Sequence, residues 1–251
     1  ALTAFGSSPS LRTLTLRLDH NNLRPAGAQA LGSLAGALLL HTLILQLRNN
    51  NLGAAGSRAL TALGAAPALE ILTLDLADNN MPDAGAQALA ALGQAPLLRV
   101  LTLDLSANKV GNEGAQGLAA LRDAPKLSAL ALDLHQNPVG AMGAQALTTV
   151  TASSTLQTLT LDLRATQIGE AGAEALAALA AGLPPAFCAL CRDPRGTTPD
   201  QGCPVTDVAQ RLGSAGCSPP GRSFIVHTDW GPIRHSGPLI PRECDGHAGL
   251  C

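Results

Sequence analysis

Leu11, Leu40, Leu69, Leu98, Leu127 and Leu156 stand 29 residues apart, with no insertion across six units. Asn21, Asn50, Asn79, Asn108 and Asn137 keep the same interval ten positions later, where Thr166 takes the sixth place. Gly27, Gly56, Gly85, Gly114, Gly143 and Gly172 form a third column, and Leu31, Leu60, Leu89, Leu118, Leu147 and Leu176 a fourth. A strict period of this length restricts the chain to a stack of like units, each contacting its neighbours.

Within each unit the apolar period switches. Leu101-Thr102-Leu103-Asp104-Leu105 alternates, as a half-buried strand does. Gly114-Ala115-Gln116-Gly117-Leu118-Ala119-Ala120-Leu121 places apolar residues three and four apart, as a helix does. Asp83, Glu113 and Glu170 fall near the helix starts, where carboxylates favour the positive end of the dipole. Pro67, Pro96 and Pro125 follow the helices and are expected to stop them. One unit therefore reads as strand, turn, helix, loop.

No unit can bury its apolar face alone. Stacking lets Leu14, Leu16 and Leu18 cover Leu43, Leu45 and Leu47, each buried leucine contributing about 1.5–3 kcal/mol before entropy is subtracted. The Asn column falls where the chain leaves the strand, and its amides are expected to satisfy backbone groups that the turn leaves unpaired. The Gly column is expected to permit a tight turn or a close backbone approach. Helices are wider than strands, so the stack must curve with the strands inside.

Val100-x-x-Leu103-x-Leu105-x-x-Asn108-x-Val110 resembles the leucine-rich repeat signature, and the helical 29-residue unit resembles its ribonuclease-inhibitor-like class. The resemblance covers residues 1–184: a half repeat over 1–10, then repeats starting at 11, 40, 69, 98, 127 and 156. It implies an α/β solenoid, a curved right-handed βα horseshoe with a parallel sheet on its concave face and helices on its convex face. The chain departs from the pattern at the usual first leucine, occupied by Thr13, Thr42, Ile71, Val100, Ala129 and Thr158. Thr166 marks the last unit as a loosened or capping one.

Alternation directs three rows toward the concave face. They are Thr15, Ile44, Thr73, Thr102, Ala131 and Thr160; Arg17, Gln46, Asp75, Asp104, Asp133 and Asp162; and Asp19, Arg48, Ala77, Ser106, His135 and Arg164. Four aspartates would form a ladder at about 4.8 Å per rung. Three readings are open. The carboxylates bond to adjacent threonines or backbone on a well-solvated face, they bind a basic partner segment, or they hold a row of divalent cations. Ladder repulsion is expected to raise some of their pKa values. Arg17, Arg48, Asp75, Asp104, Ser106, Asp133, His135, Asp162 and Arg164 are the expected partner-binding set. His135 reads as an exposed recognition residue: Asp133 and Ser106 suggest a triad, but no oxyanion donors accompany them. His20 and His41 fall at turns or loops, and no phosphate-binding loop occurs.

The net charge of -2 argues against general nucleic-acid binding, and no apolar run is long enough to span a membrane. No cofactor and no catalytic group are expected. With 2% aromatic residues, Leu and Ala must build the core. All six cysteines lie beyond residue 187, which leaves the repeats suited to a reducing, cytoplasmic setting.

The period ends after Gly182, and residues 185–251 are dense in Pro and Gly and read as mainly irregular chain. Cys188, Cys191, Cys244 and His247 have spacings compatible with zinc; disulfides, unpaired thiols and appended non-coding sequence are the other readings of this tail. Short elements around Val205–Leu212 and Ser223–Val226 are expected to be able to pack on the last repeat. The opening at Ala1 falls within a repeat, which suggests a fragment. Apolar ends of the stack are expected to lower its solubility.

The function expected from these residues, and from the family resembled, is a protein-interaction scaffold using the concave face. Alternatives are a small-GTPase regulator like the Ran GTPase-activating proteins, for which Arg24, Arg48 and Arg164 are available, and the sensor region of a nucleotide-binding leucine-rich-repeat receptor. A hydrolase or metalloenzyme using the tail cysteines is a further class.

Overall fold

A computed structural model describes residues 10–182 and 223–228. Among these residues seven strands form one parallel sheet in chain order: β1 Thr13–Arg17, β2 Thr42–Gln46, β3 Ile71–Asp75, β4 Val100–Asp104, β5 Ala129–Asp133, β6 Thr158–Asp162 and β7 Ser223–His227. Six helices alternate with the repeat strands: α1 Arg24–Gly32, α2 Gly53–Leu60, α3 Asp83–Leu89, α4 Asn112–Leu118, α5 Ala141–Thr148 and α6 Gly169–Gly182. Register follows the period: Leu43 lies opposite Leu72, Leu72 opposite Leu101, and Leu101 opposite Leu130. The fold is an α/β repeat solenoid, with the parallel sheet on one face and the helices on the other.

The helical half is shorter than its periodicity suggests. α1 to α5 each continue into a 3-10 turn, such as Ala90–Gln94 after α3 and Ala119–Asp123 after α4. The α-helices thus end well before Pro96 and Pro125, which lie beyond these turns in the descending chain. The tighter winding turns Leu92 and Leu121 into the core. Strand leucines such as Leu72, Leu74 and Leu76 complete that core.

The corner after each strand needs left-handed backbone. Asn49, Asp78 and Gln136 have φ of 52°, 54° and 55°. Asn and Asp tolerate this region better than other residues with a Cβ. The next residue is the ladder asparagine. Asn79 Oδ1 accepts the N–H groups of Asn50 at 3.0 Å and Leu52 at 3.3 Å, while its Nδ2 donates to Leu47 O at 2.8 Å and Ala77 O at 3.0 Å. Asn50 and Asn108 do the same for their own preceding coils. Asn137 accepts from Val110 N–H and donates to Leu105 O. Asn21 is exposed, and Thr166 turns its hydroxyl to Leu163 O within its own coil.

The glycine column serves close approach: these glycines lie in helices rather than in left-handed turns. A Cβ on Gly114 would stand 2.6 Å from Asp83 Oδ1, 2.7 Å from Val110 Cγ1 and 3.1 Å from Asp83 Cα in the preceding coil. A larger residue would push neighbouring coils apart.

The far edge of the repeat sheet is covered. Ser223–His227 leaves the tail and pairs with β6 in parallel, Leu159 opposite Phe224 and Leu161 opposite Val226. Val226 packs against the core, and Leu163 N–H donates to His227 O at 2.8 Å. The sixth strand therefore has a partner. Val205–Leu212 lies outside the described residues, as do Cys188, Cys191, Cys244 and His247.

Candidate functional site on the concave face

Strand register sets Arg17, Gln46, Asp75, Asp104, Asp133, Asp162 and His227 in a single row across the sheet. Arg17 and Arg48 are exposed, whereas Asp75, Asp104, Ser106, His135 and Arg164 are half-buried. Asp133 and Asp162 are buried, 9% and 3% exposed. This corrects the picture of a uniformly solvated acidic face. Thr73, Thr102, Ala131 and Thr160 are also buried.

The carboxylates bond to backbone rather than to threonine. Asp75 Oδ1 accepts Ala77 N–H at 3.1 Å, Asp104 Oδ1 accepts Ser106 N–H at 2.9 Å, and Asp133 Oδ1 accepts His135 N–H at 2.8 Å. Asp104 Oδ1 also accepts the Ser106 hydroxyl at 2.6 Å. Asp162 is paired with Arg164, whose Nη2 donates to Oδ2 at 2.6 Å and whose Nε lies 3.0 Å from both carboxylate oxygens. The hydroxyls of Thr73 and Thr160 and the Nδ1 of His135 are buried with no hydrogen-bond partner among the described residues.

Burial is the first cause of a raised pKa here, and charge repulsion the second. Asp133 is pushed up to about 7 by burial and by Asp104 and Asp162, against the pull of His135 N–H and Arg164. Asp75 is raised to about 6 by burial, Asp104 and Asp19, against Ala77 N–H and Arg48. His227 is lowered by burial, with Asp162 opposing.

The triad suggested by Ser106, His135 and Asp133 has a different hydrogen-bond pattern. Ser106 gives its proton to Asp104, and Asp133 bonds the backbone of His135 rather than its ring. Among the described residues no three His, Cys, Asp or Glu side chains come together as a metal-ligand set. Among the same residues no helix is long and apolar enough to cross a membrane. Arg24 is the first residue of α1, with φ 57° and its Nε 3.4 Å from Asn22 Oδ1.

Two features escape the repeat columns. His227 extends the concave row from a segment without the period. Asp83 and Asn112 each bridge to the helix start of the next coil, Asp83 Oδ1 accepting Gly111 and Gly114 N–H, and Asn112 Oδ1 accepting Gly140 and Gly143 N–H. The signal available in the sequence was an Asp or Asn standing 28 and 31 residues before two glycines.

No curated protein matches the chain. Four stretches of it, residues 10–32, 71–90, 99–119 and 155–177, match the family model described as Leucine Rich repeat.

Proposed function

We propose that this leucine-rich repeat protein is a non-catalytic scaffold that recognises a protein partner through its concave face. Leucine-rich repeats generally mediate protein–protein interaction, and the resemblance of the helical 29-residue unit to the ribonuclease-inhibitor-like class supports the same reading. A basic segment is the complementary ligand. The observation that carries this reading is the in-register row Asp75–Asp104–Asp133–Asp162, four carboxyl groups on adjacent rungs of the sheet, of which Asp162 is paired with Arg164. Such a row favours an oppositely charged partner and disfavours an acidic one. The cysteine-free repeats suit the cytoplasm, where such a partner would be met.

The test uses the whole chain as bait, together with a concave variant carrying Asp104→Lys and Asp133→Lys and a convex variant carrying Gln116→Lys. A partner retained by the parent and the convex variant, and lost with the concave one, supports the reading. A partner lost only with the convex variant would place recognition on the helices.

A further inference from the structure

Among the described residues four large apolar side chains are exposed, and three of them share one edge of the solenoid. Leu38, Leu39 and Leu97 are 69%, 38% and 43% exposed, in the loops that lead from a 3-10 turn to the next strand. The corresponding loop of the coil between them holds Pro67 and Ala68, and Pro96 precedes Leu97. These six residues make an apolar ridge across three successive loops. The repeat does not require leucine there, since the next coil has Pro125 and Lys126 in the same places.

The backbone of the ridge loses few bonds to water when it is covered. Pro67 and Pro96 have no N–H, and Ala37, Leu40, Ala66, Leu69 and Ala95 give theirs to carbonyls three residues before them. The two ends of the ridge are basic. The carbonyl of Arg12 accepts His41 and Thr42 N–H, which sets Arg12 beside the Leu38–Leu39 loop, and Lys126 follows Leu97 one coil on. Neither has an ion pair among the described residues. Glu70 and Asp123, the acidic residues of this edge, stand beside cations, at 3.9 Å from Arg99 Nε and 3.4 Å from Arg122 Nε. The acidic row of the concave face lies at the other end of the strands. Asp104 follows Arg99 at a distance of about 16 Å along the strand. That is twice the Debye length of about 8 Å at physiological salt, so the row does not cancel the cations at this edge.

We infer that this edge is a peripheral docking surface for an anionic lipid bilayer, with Leu38, Leu39 and Leu97 entering the headgroup–acyl boundary and Arg12 and Lys126 meeting the lipid phosphates and carboxylates. Apolar area and attraction to anionic lipid act together in such binding, and each is modest here, so the association is reversible. Charge decides between a membrane and a neutral apolar partner, because uncompensated cations flank the leucines at both ends. Area decides against a second copy. A standard protein interface buries about 800 Å² on each side, more than six partly exposed side chains provide, whereas a bilayer requires no complementary relief. Docking by this edge leaves the concave face open, since its acidic row lies at the far end of the strands. The inference is independent of the scaffold reading and adds a second surface to it.

The test floats the whole chain through a density gradient with vesicles of phosphatidylcholine alone, or with phosphatidylserine added at about 30 mol%. The chain should float saturably with the anionic vesicles, bind the neutral ones at least ~10-fold more weakly, and be released as salt rises. Leu38→Ser combined with Leu97→Ser should lower affinity for the anionic vesicles at least ~10-fold. Arg12→Gln combined with Lys126→Gln should lower it by a similar factor. All four side chains are exposed, so far-UV circular dichroism of both variants should match the parent. Met142→Ser removes an apolar side chain that is 63% exposed in the first turn of α5, away from this edge, and should change nothing. Failure to float with the anionic vesicles would overturn the inference. So would flotation that either double variant leaves unmoved, or that Met142→Ser weakens as much. A dimer in sedimentation equilibrium that the leucine variant dissolves, without vesicle binding, would assign the ridge to a second copy instead.

Discussion

Asp83 Oδ1 accepts the backbone N–H of Gly114 at 2.8 Å, from the first turn of one helix to the first turn of the next. The same oxygen accepts Gly111 N–H at 2.6 Å. A helix start leaves N–H groups without intrahelical partners, and they are usually capped from the same chain segment. Here α4 is capped from the coil before it, and α5 likewise by Asn112. The bond therefore both ends a helix and joins two repeats. Asp83→Ala is expected to cost about 1–2 kcal/mol by urea denaturation, and Asp83→Asn much less, because Asn keeps the acceptor. Equal losses from both would show that the charge, not the bond, matters.

Gly114 faces the same contact from the other side. Gly114→Ala brings a Cβ within 3.1 Å of the Asp83 Cα, so relief requires the coils to separate. The expected cost is about 1–3 kcal/mol, read as a lower urea midpoint. Gly53 is the contrasting site. It has φ 56° with nothing within 4 Å of an added Cβ, so Gly53→Asn should be nearly neutral, since Asn adopts this region.

The interior asparagines carry more. Asn79→Ala leaves the N–H groups of Asn50 and Leu52 and the carbonyl of Leu47 without this side-chain partner inside the stack. A loss of about 3–5 kcal/mol in unfolding free energy is expected. Asn21→Ala, at an exposed position, should cost under ~1 kcal/mol. Thermal unfolding of the two variants side by side separates a ladder bonded between coils from a row of solvated amides.

The acidic row gives stability a pH dependence of definite sign. Asp133 titrates near 7 in the folded protein and near its ordinary value of 3.8 when unfolded. Folding therefore takes up protons between those values, and stability falls as pH rises from about 4 to about 7. The groups facing Asp133 are Asp104 on β4, Asp162 and Arg164 at the end of β6, and His135 beside it. Asp133→Asn keeps the bond to His135 N–H and removes the buried charge. It should gain on the order of 2 kcal/mol at pH 8 and little at pH 4. A melting temperature lowered at pH 8 would oppose this account.

β7 joins the repeats through Val226, which packs on the core beside the last coil. Val226→Asp should free the outer edge of β6. Hydrogen exchange at Leu163 N–H, which donates to His227 O, should speed up at least ~10-fold, with exchange on β3 unchanged. Unchanged protection at Leu163 would show that β6 does not depend on this strand.

The columns of Leu, Asn and Gly made the strand–helix unit, its stacking and its register legible before any coordinates. Each of those columns acts on its immediate neighbours in the stack, so one unit contains nearly the whole rule. The helix length was less legible. Ala-rich segments such as Ala90-Ala91-Leu92 carry a helical period through both the α-helix and the 3-10 turn that follows it. The concave columns were legible as positions but not as environments: nothing local separates half-buried Asp104 from buried Asp133.

The sequence by itself determined a solenoid of six like coils, because a unit that cannot cover its own leucines must be covered by a copy of itself. Only the tertiary structure decided which carboxylates are buried, which one receives an arginine, which helix starts are capped from the coil before, and what closes the sheet beyond β6. Those outcomes depend on desolvation and on atoms brought together from different coils or from the tail. A fixed sequence interval records neither what lies above a side chain nor which distant strand pairs at an edge.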